Sequence, residues 1–176
     1  RRSSDLKKKN SIRKMAERTS ELIALLENPG KVLLSRSPVS FRVKFIDSQL
    51  ATSVLRKIAS HSATTLNLTL HILHIRGFQS IPPVNIYLNN EKDSFNEELL
   101  IGSLALFGLR KSSQNDGIGL HEVWNVTAVF KVAVQQKNWN ENSFTLSFFS
   151  QSELTEKAEF SFERIELHSD RIEESF

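Results

Sequence analysis

The chain contains no cysteine among its 176 residues. That excludes disulfides, thiolate metal sites and cysteine nucleophiles, and it leaves the redox compartment open. Glycine is scarce, at six residues, and no phosphate-cradling glycine loop or Gly-x-Ser-x-Gly elbow is present. A His-Glu-x-x-His pair is missing as well. No apolar run approaches the roughly 18 to 20 residues of a membrane helix. With 39% hydrophobic and 24% charged residues, a soluble globular domain is expected. The sequence opens Arg1-Arg2-Ser3 with no apolar stretch behind the basic residues, so no secretory signal peptide is visible and the chain reads as part of something longer. By itself it reads as non-enzymatic.

Charge is unevenly spread. Residues 1–18 hold eight Lys or Arg against Asp5 and Glu17, and the other 158 residues carry 15 basic and 18 acidic groups. The net charge of +3 therefore belongs to an N-terminal tail rather than to a folded binding face. No aromatic residue is interleaved with the tail to stack on bases, so the tail reads as a solvated linker. No nucleic-acid or membrane partner is expected.

A chain of this length supports one domain plus an appendage. Ile12, Met15, Ala16, Thr19, Leu22, Ile23 and Leu26 recur at spacings of three and four, which predicts an amphipathic helix capped by Ser11 and ended by Asn28-Pro29-Gly30. Residues 1–30 are thus expected to form a basic linker and helix, residues 31–170 a β-sandwich, and residues 171–176 a tail.

After Pro38 the pattern changes to alternation. Phe41, Val43 and Phe45 alternate with Arg42 and Lys44, and Leu66, Leu68, Leu70 and Ile72 with Asn67, Thr69 and His71, the period of half-buried strands. Residues 53–60 suit either helix or strand. Further strands are expected at 84–88, 99–107, 123–134, 144–149 and 160–167, separated by polar turns. Seven or eight such strands without alternating helices predict an all-β fold, an antiparallel sandwich or barrel.

Five histidines, His61, His71, His74, His121 and His168, are the possible metal ligands. On a strand, His71 and His74 point to opposite faces and do not chelate one ion, so no metal site is expected and the histidines read as surface or interface residues. The acceptor patterns Asn67-Leu68-Thr69 and Asn125-Val126-Thr127 fall in predicted strands and read as chance matches. Trp124, Trp139 and Tyr87 offer an alternative function. Trp139, in the polar turn 135–140, is the best candidate for an exposed ligand-stacking ring in an independent interaction or carbohydrate-binding module.

Several segments carry a resemblance when taken in order. Leu70-His71-Ile72-Leu73-His74-Ile75-Arg76-Gly77-Phe78 is followed by Val84-Asn85-Ile86-Tyr87-Leu88-Asn89-Asn90 and then by Ile101-Gly102-Ser103-Leu104-Ala105-Leu106-Phe107-Gly108. Asn125-Val126-Thr127, Phe144-Thr145-Leu146-Ser147-Phe148 and Ile165-Glu166-Leu167 complete the series. Over residues 41–168 this order resembles the C-terminal domain of tyrosinases and polyphenol oxidases. The departure at Val84-Asn85-Ile86 and the insert 49–63 make it similar to the bacterial rather than the plant type.

The resemblance implies a latent copper enzyme. A separate catalytic domain would hold the binuclear copper and its histidines, the sandwich would pack over that site, and cleavage of the linker would release it. The parent would be a phenol oxidase, with its choice between monophenols and diphenols decided outside this chain. A side chain would occupy the substrate position. Phe107 is the expected plug, with Leu106 and Leu109 as alternates and Gly102 and Gly108 as the hinges that let the segment turn outward.

Overall fold

In a computed structural model, residues 17–28, 30–60, 66–89, 95–152 and 158–173 are described. Among the described residues ten strands, three short α-helices and one 3-10 turn (Glu97–Leu99) follow one another. The strands are β1 (Glu17–Leu26), β2 (Gly30–Leu33), β3 (Val39–Phe45), β4 (Leu66–Ile75), β5 (Val84–Leu88), β6 (Leu100–Leu104), β7 (Leu120–Asn125), β8 (Ser143–Ser150), β9 (Glu159–Phe162) and β10 (Arg164–Glu173). The helices are α1 (Ser48–Ala59), α2 (Leu109–Ser113) and α3 (Thr127–Val134). Eight strands form one sheet in the order β6-β5-β8-β3-β1-β10-β4-β7, and β2 pairs with β9 in a separate ribbon. Every pairing is antiparallel, as the alternating pattern predicts.

The sheet curls until its two edge strands, β6 and β7, come together. A Cβ placed on Gly102 of β6 would lie 2.9 Å from Nε1 of Trp124 on β7, so the seam of this nearly closed barrel is an indole laid against bare backbone. Inward side chains fill the interior. Leu68, Leu70 and Ile72 of β4, Ile86 and Leu88 of β5, Phe144, Leu146 and Phe148 of β8, and Ile165 and Leu167 of β10 are all buried, and their period of two is the one visible in the sequence.

The expected N-terminal helix is absent where the structure describes the chain. Residues 17–26 are instead β1, a central strand paired with β3 and β10. A β-bulge explains the misleading spacing. Leu22 pairs with His168 and Ala24 with Leu167, leaving Ile23 as an extra residue. Both Ile23 and Ala24 are buried, so the bulge breaks the alternation and leaves apolar spacings of three that imitate a helix. The sheet therefore takes in residues expected in the linker, while 11–16, the rest of that segment, lie outside the described residues.

Two helices arise where strand or ambiguity was expected. Asp47 accepts hydrogen bonds from the backbone of Gln49 (2.8 Å) and Leu50 (3.1 Å), capping α1, and Ala51, Val54, Leu55 and Ile58 form its buried face. The predicted strand 123–134 stops at Asn125. The Asn125 carboxamide oxygen accepts from the backbone and hydroxyl of Thr127 and turns the chain into α3, which buries Phe130 and Ala133. The β-branched residues of α3 favour strand intrinsically, and tertiary packing overrides them.

Antiparallel connectivity sorts the loops into two ends. The β3–β4 and β7–β8 connections lie at one end, where α1 and α3 pack together. The β4–β5 and β6–β7 connections and the β2-β9 ribbon lie at the other. There Phe160 and Phe162 of β9 are buried against Phe148, with Phe41 edge-on to Phe148 and Phe162.

Candidate functional site

At the ribbon end, β6 runs out at Leu104 and the chain makes a tight turn. Leu109 N donates to Leu106 O at 3.2 Å, and Gly108 sits at φ 78°, ψ 2°, the conformation of the third residue of a type II turn. A side chain at Gly108 would be strained by that φ, although no heavy atom stands within 4 Å of the position. Phe107 occupies the second residue of the turn. Its flanks are anchored, since Leu106 is 8% and Leu109 1% exposed, whereas Phe107 is 86% exposed.

The neighbouring β4–β5 loop presents a second aromatic ring, Phe78, 65% exposed. Two contacts tie this loop to the turn. The backbone N–H of Gly77 donates to Ser113 Oγ at 3.0 Å, and Ser113 in turn donates to Leu109 O at 2.6 Å. A Cβ on Gly77 would press on the Leu109 side chain at 2.7 Å, so glycine allows the close approach. Gln79 Oε1 accepts from Glu159 N at 3.0 Å, fastening the loop to β9. Two exposed phenylalanines thus stand on a braced platform, and between their loops lies a cleft of about 280 Å³.

Of the three plug candidates, Leu106 and Leu109 point into the core and leave Phe107 as the one side chain free to reach outward. Of the two glycines expected as hinges, Gly108 lies in the turn itself at a positive φ. Gly102 lies within β6, where the absence of a side chain allows the close approach of Trp124. Phe78 is the residue that sequence reasoning passed over. Its clue was a phenylalanine between glycine and the polar pair Gln79-Ser80, a place where core packing is not expected.

The stacking surface of the alternative reading is not assembled. Trp139 is half-buried with its ring against Phe45 and Phe130, at centroid distances of 6.2 and 6.1 Å. Tyr87 is 3% exposed, and Trp124 lines the barrel seam.

A different cluster lies on the outer wall of β7, β4 and β10. His71 stands between His121 and His168, with ring centroids 5.3 and 4.6 Å away. His71 Nδ1 lies 3.2 Å from His121 Nε2, and its Nε2 lies 3.2 Å from Thr69 Oγ1. His168 bridges Glu166 (2.8 Å) and Ser20 (3.3 Å). Burial, and then the neighbouring His168 and His121, hold the His71 imidazole below its ordinary value. Partial burial alone would raise the Glu166 carboxyl, but the hydrogen bonds and charges of His168 and Arg164 outweigh it and hold the pKa low. Both ring nitrogens of His71 and of His168 are thus engaged within the protein. Among the described residues no group of three or more His, Cys, Asp or Glu is arranged to hold a metal ion, so the three imidazoles do not fit a copper centre. His61 lies outside the described residues. No helix among the described residues is long and apolar enough to cross a membrane.

A family profile described as a domain of unknown function (DUF7868) matches residues 19–170. The tyrosinase HcTyr1 of Hahella sp. (strain CCB-MM4) is 24% identical over 180 aligned positions, covering 86% of this chain and 38% of that protein. The resemblance to a bacterial tyrosinase read in the sequence is thus met by a bacterial tyrosinase. Among solved structures, a recombinantly expressed latent aurone synthase (polyphenol oxidase) gives a TM-score of 0.46 at 11% identity, over 85% of this chain and 26% of that one. Latent aurone synthase from natural source gives 0.44 at 10% identity over the same shares. The chain spans well under half the length of the curated relative it matches.

Proposed function

Since the chain belongs to the DUF7868 family and aligns along most of its length with a tyrosinase, we propose that it is the non-catalytic shielding domain of a tyrosinase-type copper phenol oxidase. In this reading the copper and its ligands belong to the partner, a catalytic domain joined to this chain in cis or left associated after cleavage. The ribbon end of the barrel packs over the partner's active site, and Phe107 enters the position of a phenolic ring.

The observation that carries the reading is the placement of Phe107. Phe107, 86% exposed, lines the same cleft as Phe78, 65% exposed, and two exposed rings side by side make an apolar patch of the kind that marks a contact surface. Phenylalanine has the shape of a phenol without the hydroxyl that would be oxidised. Tethering sets the strength of the block: a linked domain acts at an effective concentration of about millimolar or above. A weak contact therefore excludes substrate while the linker is intact, and cutting the linker removes that advantage. Of residues 1–30, where the linker and helix are expected, 1–16 lie outside the described residues.

The test measures phenol-oxidase activity of the copper-loaded catalytic domain with and without this chain, alongside a direct measurement of association. Inhibition by the wild-type chain, relieved by Phe107→Ala with association retained, is the expected result. Absence of both association and inhibition would refute shielding. Inhibition that Phe107→Ala leaves intact would refute the plug and leave only coverage.

A further inference from the structure

The cleft between Phe78 and Phe107 has a chemical character of its own. Its walls are Phe78, Ile81 and Pro83 on one loop and Leu106 and Phe107 on the other, and among the described residues Arg110 is the one charged residue lining it. Among the described residues no carboxylate lines the cleft, and the Arg110 side chain makes no ion pair. An aromatic slot with a single guanidinium that no described carboxylate pairs is complementary to a flat apolar body that ends in an anion, because the ring gains contact area while the carboxylate accepts charge-assisted hydrogen bonds. At about 280 Å³ the cleft falls just under the roughly 300 to 1,000 Å³ of drug-sized sites. It takes one ring with a short side chain.

The geometry points to a binding site for a monocyclic aromatic carboxylate between Phe78 and Phe107, with Arg110 holding the carboxylate. The consequence for regulation rests on the shielding reading: because Phe107 is both a wall of the cleft and the plug, a ring bound there and a docked partner compete for it. An aromatic acid then acts as a releasing ligand that loosens the shield without cleavage of the linker.

The probe is 3-phenylpropanoate, compared with its neutral analogue 3-phenylpropanamide, titrated into the isotopically labelled 176-residue chain and followed by backbone amide NMR shifts. Expected are saturating shifts confined to residues 77–83 and 105–111, with dissociation constants on the order of a millimolar for so small a ligand. The carboxylate is expected to bind about tenfold more tightly than the amide, a difference that Arg110→Gln abolishes. Phe78→Ala weakens both probes alike, and its exposed position keeps the fold intact. Equal affinity for acid and amide, shifts elsewhere on the barrel, or no saturable shift would each overturn the site. In a second arm, saturating 3-phenylpropanoate is expected to weaken association with the catalytic domain by about tenfold or more. Binding that leaves association unchanged would overturn the competition. Intact binding by a chain that never associates would instead sink the shielding reading and leave the ligand site standing.

Discussion

Gly30→Ala offers a stringent test of how the ribbon seals the barrel. Gly30 lies directly across from Phe162 in the β2-β9 pairing, and the atoms nearest to a methyl group built there are Cζ, Cε1 and Cε2 of the Phe162 ring. Gly30 has no positive φ, so the backbone accepts alanine and the whole penalty is steric. Phe162 is 1% exposed and packs against Phe41 and Phe148, at 5.0 and 6.0 Å between ring centroids. Making room for the methyl overpacks this cluster, at about 1–3 kcal/mol, and pushes the ring off its rotamer for a further ~0.5–1.5 kcal/mol. The ceiling is about 3–5 kcal/mol, the cost of losing the ring altogether. A loss of about 3 kcal/mol is expected, which lowers Tm by about 6–12 °C in a domain of this size. Urea unfolding followed by circular dichroism measures it. In a Phe162→Ala background the same substitution has space, and replacing a strand glycine stabilises by about 0.5–1 kcal/mol, so the double-mutant cycle shows about 3.5–4 kcal/mol of coupling. A neutral Gly30→Ala, or an equal cost in both backgrounds, would refute the packing argument.

Two other predictions concern the site and the outer wall. Gly108→Asn is expected to cost a few tenths of a kcal/mol and Gly108→Val about 1–2 kcal/mol, since the position is open and only its φ of 78° penalises a side chain; equal denaturation midpoints for the two variants would contradict this. His71 is held below its ordinary value of 6.5, so the unfolded chain takes up its proton first on acidification. Its contribution to stability is full above pH 6.5 and is lost as the pH falls toward the lower folded value. The Glu166 carboxylate, held below 4.5, loses its contribution only at lower pH. His71→Gln is therefore expected to flatten the stability profile just below pH 6.5 while leaving the decline below pH 4.5. The groups facing His71 are His121 on β7 and His168, Glu166 and Asp170 on β10, and a profile identical to wild type would show that His71 is not the group responsible.

The alternating leucines of β4 and the Phe-x-Val-x-Phe of β3 determined by themselves which face of each strand is buried, and seven or eight such strands without alternating helices gave an antiparallel sandwich or barrel, with the choice between the two left to the tertiary structure. The order of the segments from Leu70 to Leu167 was also enough to reveal the resemblance to tyrosinases, and the lack of cysteine excludes disulfides. Tertiary structure decided what lies beyond one strand's period. The bulge at Ile23 turned an apparent helix into a central strand, because an extra residue becomes visible only against the partner strand it fails to match. The Asn125 turn and the packing of Phe130 made a helix from residues with strand propensity. At the candidate site, Leu106, Phe107 and Leu109 are three similar apolar residues in sequence, and only the turn geometry at Gly108 decides that two are buried and one faces out. Phe78 joins Phe107 for the same reason. Their loops are 29 residues apart along the chain, and the contacts through Ser113, Leu109 and Gly77 that bring them together exist only once the barrel has folded.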